Sequence, residues 1–311
     1  MKRLFTICTA LMVVMLFLSA CAPAGGAAAT QPGPITLTDG LGRTVTLEKP
    51  AQKIVSLAAS NTELLYAVGA GEQIVGRDNY SDYPPEALDL PAIGDLLAGI
   101  NMEQIAALKP DLVIASELNT PDQVKSLETI GLKVYYLANP DDFPGLYANV
   151  ETVAKLSGHE TQGAVLATQL KERVDSIQKT LANVESKPKV FYELDATTPA
   201  QPYTAGAGTF ISYLIGQAGG QNVGDSMQSE WAQISQEELI IQNPDIILLG
   251  DATYGGVTPE QVASRPGWDG IKAVSEQKVM VFDDNLVSRP GPRMVDGLEQ
   301  MAKLLHPELF K

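Results

Sequence analysis

The sequence predicts an α/β protein of two lobes that are joined by one long α-helix. The first observation is an apolar stripe of helical period between residues 158 and 184. The second is a pair of segments before that helix that recur, in the same order, after it. Two ordered matches on either side of one helix indicate a duplicated α/β unit, and 311 residues suit two domains of ordinary size.

The connecting helix is indicated by apolar residues spaced three or four positions apart. The stripe consists of Leu166, Leu170, Val174, Ile177, Leu181 and Val184. Neither Gly nor Pro interrupts the pattern between Gly163 and Pro188, and the pair Lys187-Pro188 predicts where it stops. At 1.5 Å per residue this helix is about 35 Å long, enough to cross a small domain.

The repeated segments are residues 102–116 and 236–250, which are 134 positions apart. Each is typical of a short helix, a Pro-Asp turn and a buried parallel strand. A second match follows, in which residues 127–137 end in Lys-Val-Tyr-Tyr-Leu and residues 271–282 end in Lys-Val-Met-Val-Phe. We therefore predict equivalent strands in the two lobes.

Local patterns predict the other elements in order. Residues 35–47 alternate polar and apolar types around a Gly-rich turn, which predicts a β-hairpin. Strands are expected at residues 53–58, 73–76 and 189–194. Ser60, with Glu63 three residues later, predicts a capping box, and Ser235 predicts a second helix N-cap. Gly206-Ala-Gly208 lacks the third glycine of a dinucleotide fingerprint, which argues against nucleotide binding.

Between Arg77 and Leu97 the sequence is least regular, and it contains Tyr80 and Tyr83 beside a Pro pair. Such a loop directly after a strand suits the carboxyl edge of the sheet, where open α/β sheets bind ligands. The alternative is a structural loop that is packed by its own aromatic side chains.

The N-terminus has the features of a secretory signal. Lys2 and Arg3 precede an uncharged run that is short for a membrane-spanning helix, and Leu18-Ser-Ala-Cys21 follows it. This tetrapeptide resembles a bacterial lipobox, which implies cleavage after residue 20 and a lipid on Cys21. Residues 21–34 then form a flexible tether. The alternative is a plain signal peptide in which Cys21 is incidental.

Charge and residue types exclude several function classes. The formal net charge is −15, and it becomes −17 without Lys2 and Arg3, which argues against nucleic acid as a partner. The mature lobes contain two histidines, His159 and His306, and no cysteine, so we predict no metal site. Neither a nucleophile elbow nor a phosphate loop is present, and no catalytic residues or cofactor are assigned.

The motifs together resemble the helical-backbone substrate-binding proteins of ABC importers, which serve cobalamin, iron-siderophores and haem. The resemblance covers residues 35–311 and is carried by five segments: residues 42–46, 53–57, 60–64, 108–114 and 289–293. It implies two Rossmann-like lobes with central, mostly parallel sheets, bridged by the long helix, with the ligand in the cleft between them. The implied boundaries are 35–157 for the first lobe, 158–186 for the helix and 187–311 for the second lobe.

Within that family the loop around Tyr80 is most similar to the cobalamin-binding branch. The resemblance implies that Tyr80, Trp231 and Arg289 line the ligand site, and we add Tyr83 from the same loop. Two positions depart from the branch, because Leu97 replaces an aromatic residue and Asn285 replaces an acidic one. The alternatives are core packing for Trp231 and a salt bridge or helix-end contact for Arg289. The departures leave another corrinoid or a siderophore open as the ligand.

The family also docks through one glutamate on each lobe, which implies Glu103 and Glu237 here. They are equivalent in the internal repeat, and two like charges related by pseudo-symmetry fit a two-fold symmetric permease. The alternative is that each lies on a polar helix face by propensity, with Glu238 as the substitute for Glu237.

We therefore expect a monomeric, lipid-anchored protein that captures cobalamin or a related corrinoid outside the cytoplasmic membrane and delivers it to an ABC permease dimer with its ATPase. The second hypothesis is a ferric siderophore or haem binder of the same transporter class. A third is an exported α/β enzyme or a metal-site assembly factor.

Overall fold

The computed structural model describes residues 33–310, and residues from Ile35 onward form one compact unit. The predicted signal segment, Cys21 and most of the tether lie outside the described residues. Within residues 33–310, no helix combines the length and the apolar character that crossing a membrane requires.

The first lobe comprises the elements before the long helix. In chain order they are β1 Ile35–Thr38, β2 Thr44–Leu47, β3 Ile54–Ser56, α1 Ala59–Ala67, β4 Ile74–Arg77, β5 Gly94–Asp95, β6 Gly99–Ile100, α2 Met102–Leu108, β7 Leu112–Ala115, α3 Pro121–Thr129, β8 Val134–Tyr136 and α4 Phe143–Ser157. The hairpin β1–β2 is antiparallel, as predicted.

The long helix α5, Glu160–Leu181, precedes the second lobe. The second lobe comprises β9 Lys189–Glu193, β10 Tyr203–Ala205, α6 Phe210–Gln217, β11 Gln221–Asn222, β12 Trp231–Gln233, α7 Gln236–Gln242, β13 Ile246–Leu249, α8 Ala252–Gly255, α9 Pro259–Ala263, α10 Lys272–Ser275, β14 Val279–Val281 and α11 Met294–Leu305.

The two central sheets have the same topology, which confirms the predicted α/β fold of two lobes. Their strand orders are β4-β3-β7-β8 and β11-β9-β13-β14, and every pairing in them is parallel. The repeated Pro-Asp turn has the same role in each lobe. The Asp111 carboxylate accepts a hydrogen bond from the Lys53 amide at 3.0 Å, and Asp245 accepts one from the Lys189 amide at 2.8 Å. Each aspartate therefore ties the start of one central strand to the start of its neighbour.

Helix α5 buries the predicted stripe, with Leu170, Val174, Ile177 and Leu181 in the core. It packs against α4 at close range, because a Cβ added at Gly163 would lie 2.3 Å from the Cβ of Ala154. The helix ends three residues before the end of the predicted stripe.

The predicted capping box at Ser60 is wrong. Helix α1 begins at Ala59, after an extended Ala58, and no side chain caps it. The polar residues of its first turn bond instead to the sheet and the adjoining loop. Asn61 Nδ2 donates to the carbonyl of Ile114 at 3.3 Å, and Thr62 Oγ1 donates to Ser56 Oγ at 2.8 Å. The N-cap at Ser235 is confirmed, because its side chain accepts from the Glu238 amide.

Candidate functional site

A cavity of about 710 Å³ lies between the two lobes and is lined by residues of both. Several of these residues directly follow central strands, such as Asp78 after β4 and Ser116 after β7. The carboxyl ends of parallel strands are the edge at which open α/β sheets bind ligands. The position of the cavity therefore follows from the strand topology.

Aromatic side chains from both lobes line the cavity. Tyr80 of the first lobe is 47% exposed, and Trp231 of the second lobe is 45% exposed. The Tyr80 amide donates to Asp78 Oδ2 at 3.1 Å, which fixes the loop after β4. Trp231 begins β12, and its ring centroid is 5.9 Å from that of Phe210. Two half-exposed aromatic rings that line the same cleft suit contact with a ligand.

Arg289 contributes a buried guanidinium to the cavity wall. It donates to the Asp82 carboxylate of the opposite lobe, and its Nη1 atom is 3.7 Å from Glu63 Oε1. Burial would lower the pKa of Arg289, but the hydrogen bond to Asp82 and the nearby Tyr254 raise it above its usual value. The same contact with Arg289 lowers the pKa of Asp82. Arg289 therefore both faces the cleft and pairs across it.

A second ion pair between the lobes involves Glu63 and Arg293. Arg293 Nε donates to Glu63 Oε2 at 2.8 Å, and Nη2 donates to the other carboxylate oxygen. The guanidinium carbon also lies 4.0 Å from the ring centroid of Tyr83. Burial raises the pKa of Glu63 in spite of the hydrogen bond from Arg293. We call Glu63, Asp82, Arg289 and Arg293 the interlobe ion-pair cluster.

The structure separates the six predicted ligand residues into two groups. Tyr80, Trp231 and Arg289 line the cavity together. The other three lie outside its lining: Tyr83 packs on Arg293, Leu97 is 83% exposed between β5 and β6, and Asn285 accepts a hydrogen bond from the hydroxyl of Tyr254.

The predicted docking glutamates occupy equivalent places in the two lobes. Glu103 and Glu237 are each the second residue of a short helix, and both are exposed. The N-caps of these helices, Asn101 and Ser235, are also equivalent in the repeat. Within residues 33–310, neither glutamate has an ion-pair partner.

The sequence predicted Arg289 but not the other three members of the interlobe ion-pair cluster. It also did not predict two cavity aromatics, Phe210 and Tyr254. Glu63 and Arg293 belong to segments that carried the family resemblance, so their position in those motifs was the available signal. No spacing rule relates them, because they are far apart in the chain. No group of three or more His, Cys, Asp or Glu side chains in the described part of the chain is arranged to hold a metal ion.

Comparison with known proteins gives a consistent result. Residues 54–286 match the family model described as "Periplasmic binding protein". The chain is 33% identical over 288 residues to an uncharacterized ABC transporter substrate-binding lipoprotein, YvrC, of Bacillus subtilis, covering 91% of this chain and 88% of that protein. It is 30% identical over 255 residues to a vitamin B12-binding protein of Photorhabdus laumondii, covering 82% and 88%.

Among solved structures, the chain is similar to the periplasmic heme-binding protein RhuT of Roseiflexus. The TM-score is 0.73 at 25% identity, with 83% of this chain and 99% of that chain covered. The similarity therefore extends over nearly the whole of the two-lobed unit.

Proposed function

The chain belongs to the periplasmic binding protein family, and on that premise we propose that it captures cobalamin or a related corrinoid in the interlobe cleft and delivers it to an ABC permease. Members of this family are extracytoplasmic substrate-binding proteins that work with a permease and an ATPase, and they are not enzymes. The proposal includes a monomeric protein and a lipid anchor at Cys21, which lies outside the described residues.

The observation that carries the ligand assignment is the pair of aromatic side chains, Tyr80 and Trp231, on one cavity. A flat macrocycle buries its faces best between aromatic rings, and a few polar groups at its edge fix the orientation. The cavity volume of about 710 Å³ lies within the usual range for ligand sites, roughly 300–1,000 Å³. The vitamin B12-binding relative supports the same ligand class.

A ferric siderophore or haem is the second candidate, and the similarity to a heme-binding protein favours it. Haem, through its propionates, and ferric catecholate siderophores are anionic, and such ligands are best held by cationic side chains. Arg289 is the one basic residue among the described residues that line the cavity, and Asp82 already engages it. We therefore rank the corrinoid above the anionic ligands.

Calorimetric titration of the chain without residues 1–20 tests this ligand. We expect cyanocobalamin to bind with one-to-one stoichiometry and saturation, because both aromatic rings line the same cavity. Haem and a ferric catecholate siderophore, which are both anionic, should bind far more weakly when they are titrated in parallel. Saturation by haem without any binding of cyanocobalamin would show that the corrinoid is wrong and would leave the transport role in place.

Substituting both docking glutamates should abolish delivery without affecting capture. For the pair Glu103→Gln and Glu237→Gln we expect corrinoid uptake through the cognate permease to fall at least about tenfold, since the loss of each interfacial charge pair costs about 2–5 kcal/mol. Corrinoid affinity should not change, because neither residue lines the cavity.

The matched control is Glu172→Gln, which removes an exposed carboxylate from the middle of α5. Uptake by this variant should equal that of the wild type. If Glu238→Gln reduces uptake and Glu237→Gln does not, the docking role belongs to Glu238.

A further inference from the structure

The charged side chains on the cavity wall are mainly acidic. Five carboxylates and one guanidinium line it in the described part of the chain: Asp78, Glu117, Asp141, Glu230, Asp284 and Arg289. A cavity wall with low-dielectric surroundings and charges of one sign focuses the field inside it. The sign of that field bears on which ligands can enter.

Arg289 offsets these carboxylates only in part. Its charge opposes the rise in the pKa of Asp78 and Asp284 that burial causes, but its ion pairs are with residues outside the lining. Asp82 of the opposite lobe already accepts two hydrogen bonds from its guanidinium, and Glu63 lies 3.7 Å from Nη1. Neither Asp82 nor Glu63 is among the cavity-lining carboxylates. The positive charge of Arg289 is therefore paired mainly with carboxylates outside the cavity lining, and the five lining carboxylates leave the wall negative.

Three of the carboxylates are exposed and form the rim of the cleft: Glu117, Asp141 and Glu230. Glu117 follows β7 and is held by Asn139, whose amide and Nδ2 atoms donate to it at 3.1 and 3.0 Å. Glu230 directly precedes Trp231, and a Cβ added at Gly208 would lie 3.3 Å from its Oε1 atom. The rim carboxylates therefore belong to both lobes, and Glu230 lies next to the aromatic wall.

The other two, Asp78 and Asp284, are buried at the floor and already accept hydrogen bonds from Ser81 and Tyr192. Burial raises the pKa of both carboxyl groups. These two residues therefore contribute less negative charge than two unperturbed carboxylates would. The rim carries the field that an approaching ligand meets first.

We propose that the rim carboxylates Glu117, Asp141 and Glu230 select the ligand by charge, accepting hydrogen bonds from a neutral or cationic, carboxamide-bearing corrinoid and rejecting macrocycles that carry free carboxylates. This inference rests on the proposed function. Carboxamide N–H groups on the edge of a ring match exposed carboxylate acceptors, and hydrogen bonds to a charged acceptor are the stronger kind. A carboxylate at the same place meets like charge and loses its hydration.

Two corrinoids with the same ring test the inference: dicyanocobinamide, whose ring substituents are amides, and dicyanocobyrinic acid, whose substituents are carboxylates. We expect calorimetry on the wild-type chain to give a Kd at least about 100-fold higher for the acid. Added salt should strengthen binding of the acid, because salt screens the repulsion between partly exposed charges. The Debye length is about 8–10 Å in 0.1–0.15 M solution.

The triple variant Glu117→Gln, Asp141→Asn and Glu230→Gln should bind the acid more tightly. The ratio of the Kd for the acid to the Kd for the amide should therefore fall at least about tenfold. The control variant Glu151→Gln, Glu172→Gln and Glu185→Gln makes the same change in net charge at exposed positions outside the cavity lining. It should leave the ratio of the two Kd values as it is in the wild type.

Equal affinity of the wild type for the amide and the acid would overturn the charge selection and leave the corrinoid assignment intact. An equal fall of the Kd ratio in the rim and control variants would also overturn the charge selection, because net charge alone would then account for the effect. Failure of both corrinoids and of cyanocobalamin to bind would instead remove the proposed ligand itself. The three results differ, so the two proposals can fail separately.

Discussion

Replacement of Arg293 by alanine is expected to lower the free energy of unfolding by about 3–5 kcal/mol, because it removes both hydrogen bonds to the buried Glu63 carboxylate. The cation that remains, Arg289, is 3.7 Å away and is already paired with Asp82. Glu63 is 3% exposed and accepts two hydrogen bonds from Arg293. The charge-assisted, bidentate hydrogen bonds from Arg293 replace the hydration that the Glu63 carboxylate loses on burial. Urea unfolding at neutral pH, followed by circular dichroism, measures the loss.

The control for this prediction is Arg173→Ala. Arg173 also bridges two elements, pairing from α5 with Asp296 and Glu299 of α11, but all three side chains are substantially exposed. An exposed pair contributes about 0–1 kcal/mol. Equal losses in the two variants would contradict the special role of the buried pair.

The pH dependence gives a second check on the Arg293→Ala variant. Burial already raises the folded-state pKa of Glu63 in the presence of Arg293, and loss of that cation raises it further. A carboxyl group whose folded-state pKa lies above its unfolded value favours the folded state most when it is protonated. The variant should therefore recover stability as the pH falls through the folded-state pKa of Glu63. Combining Glu63→Gln with Arg293→Ala should restore part of the lost free energy of unfolding at neutral pH.

Replacement of Trp231 by alanine is expected to weaken cyanocobalamin binding by about 30- to 1,000-fold, which corresponds to about 2–4 kcal/mol for a central aromatic contact. Trp231 forms one aromatic wall of the cavity and is supported by Phe210. Trp231→Phe should keep part of the affinity, since a smaller ring still offers an aromatic face. Calorimetric titration of the three proteins measures the difference.

Tyr203 provides a matched control for Trp231. It lies on β10, which pairs with the strand that begins at Trp231, and both side chains are 45% exposed. Tyr203 is not part of the cavity lining, so Tyr203→Ala should change the Kd by less than about threefold, within the ±0.5 kcal/mol usual for surface substitutions. Comparable losses in both variants would show that Trp231 acts through strand pairing and not through ligand contact.

Local patterns predicted much of the fold because their causes lie within one element or one turn. The apolar spacing of α5 depends only on helix geometry, and the cap at Ser235 depends on an amide three residues away. The failure at Ser60 has the opposite cause. Its neighbours Asn61 and Thr62 bond to β7 and β3, and these tertiary bonds outweigh a local capping preference.

Some of the residues predicted for the candidate site line the cavity, and others do not. Resemblance to a family predicts that Tyr80, Trp231 and Arg289 share one ligand site, and the cavity includes all three. The same resemblance predicts ligand positions at Leu97 and Asn285, and these two residues lie outside the lining. A motif match specifies which residue occupies a position, but the direction of its side chain depends on the loop around it.

By itself, the sequence determined the duplicated α/β unit, the long helix between its copies and the excess of acidic residues, because each is a property of residue type and spacing. Only the tertiary structure decided that Arg289 meets Asp82 and that Arg293 meets Glu63, across 207 and 230 positions of the chain. It also decided which carboxylates face the cleft. Such contacts depend on how two separately folded sheets are placed against each other, and no local periodicity encodes that placement.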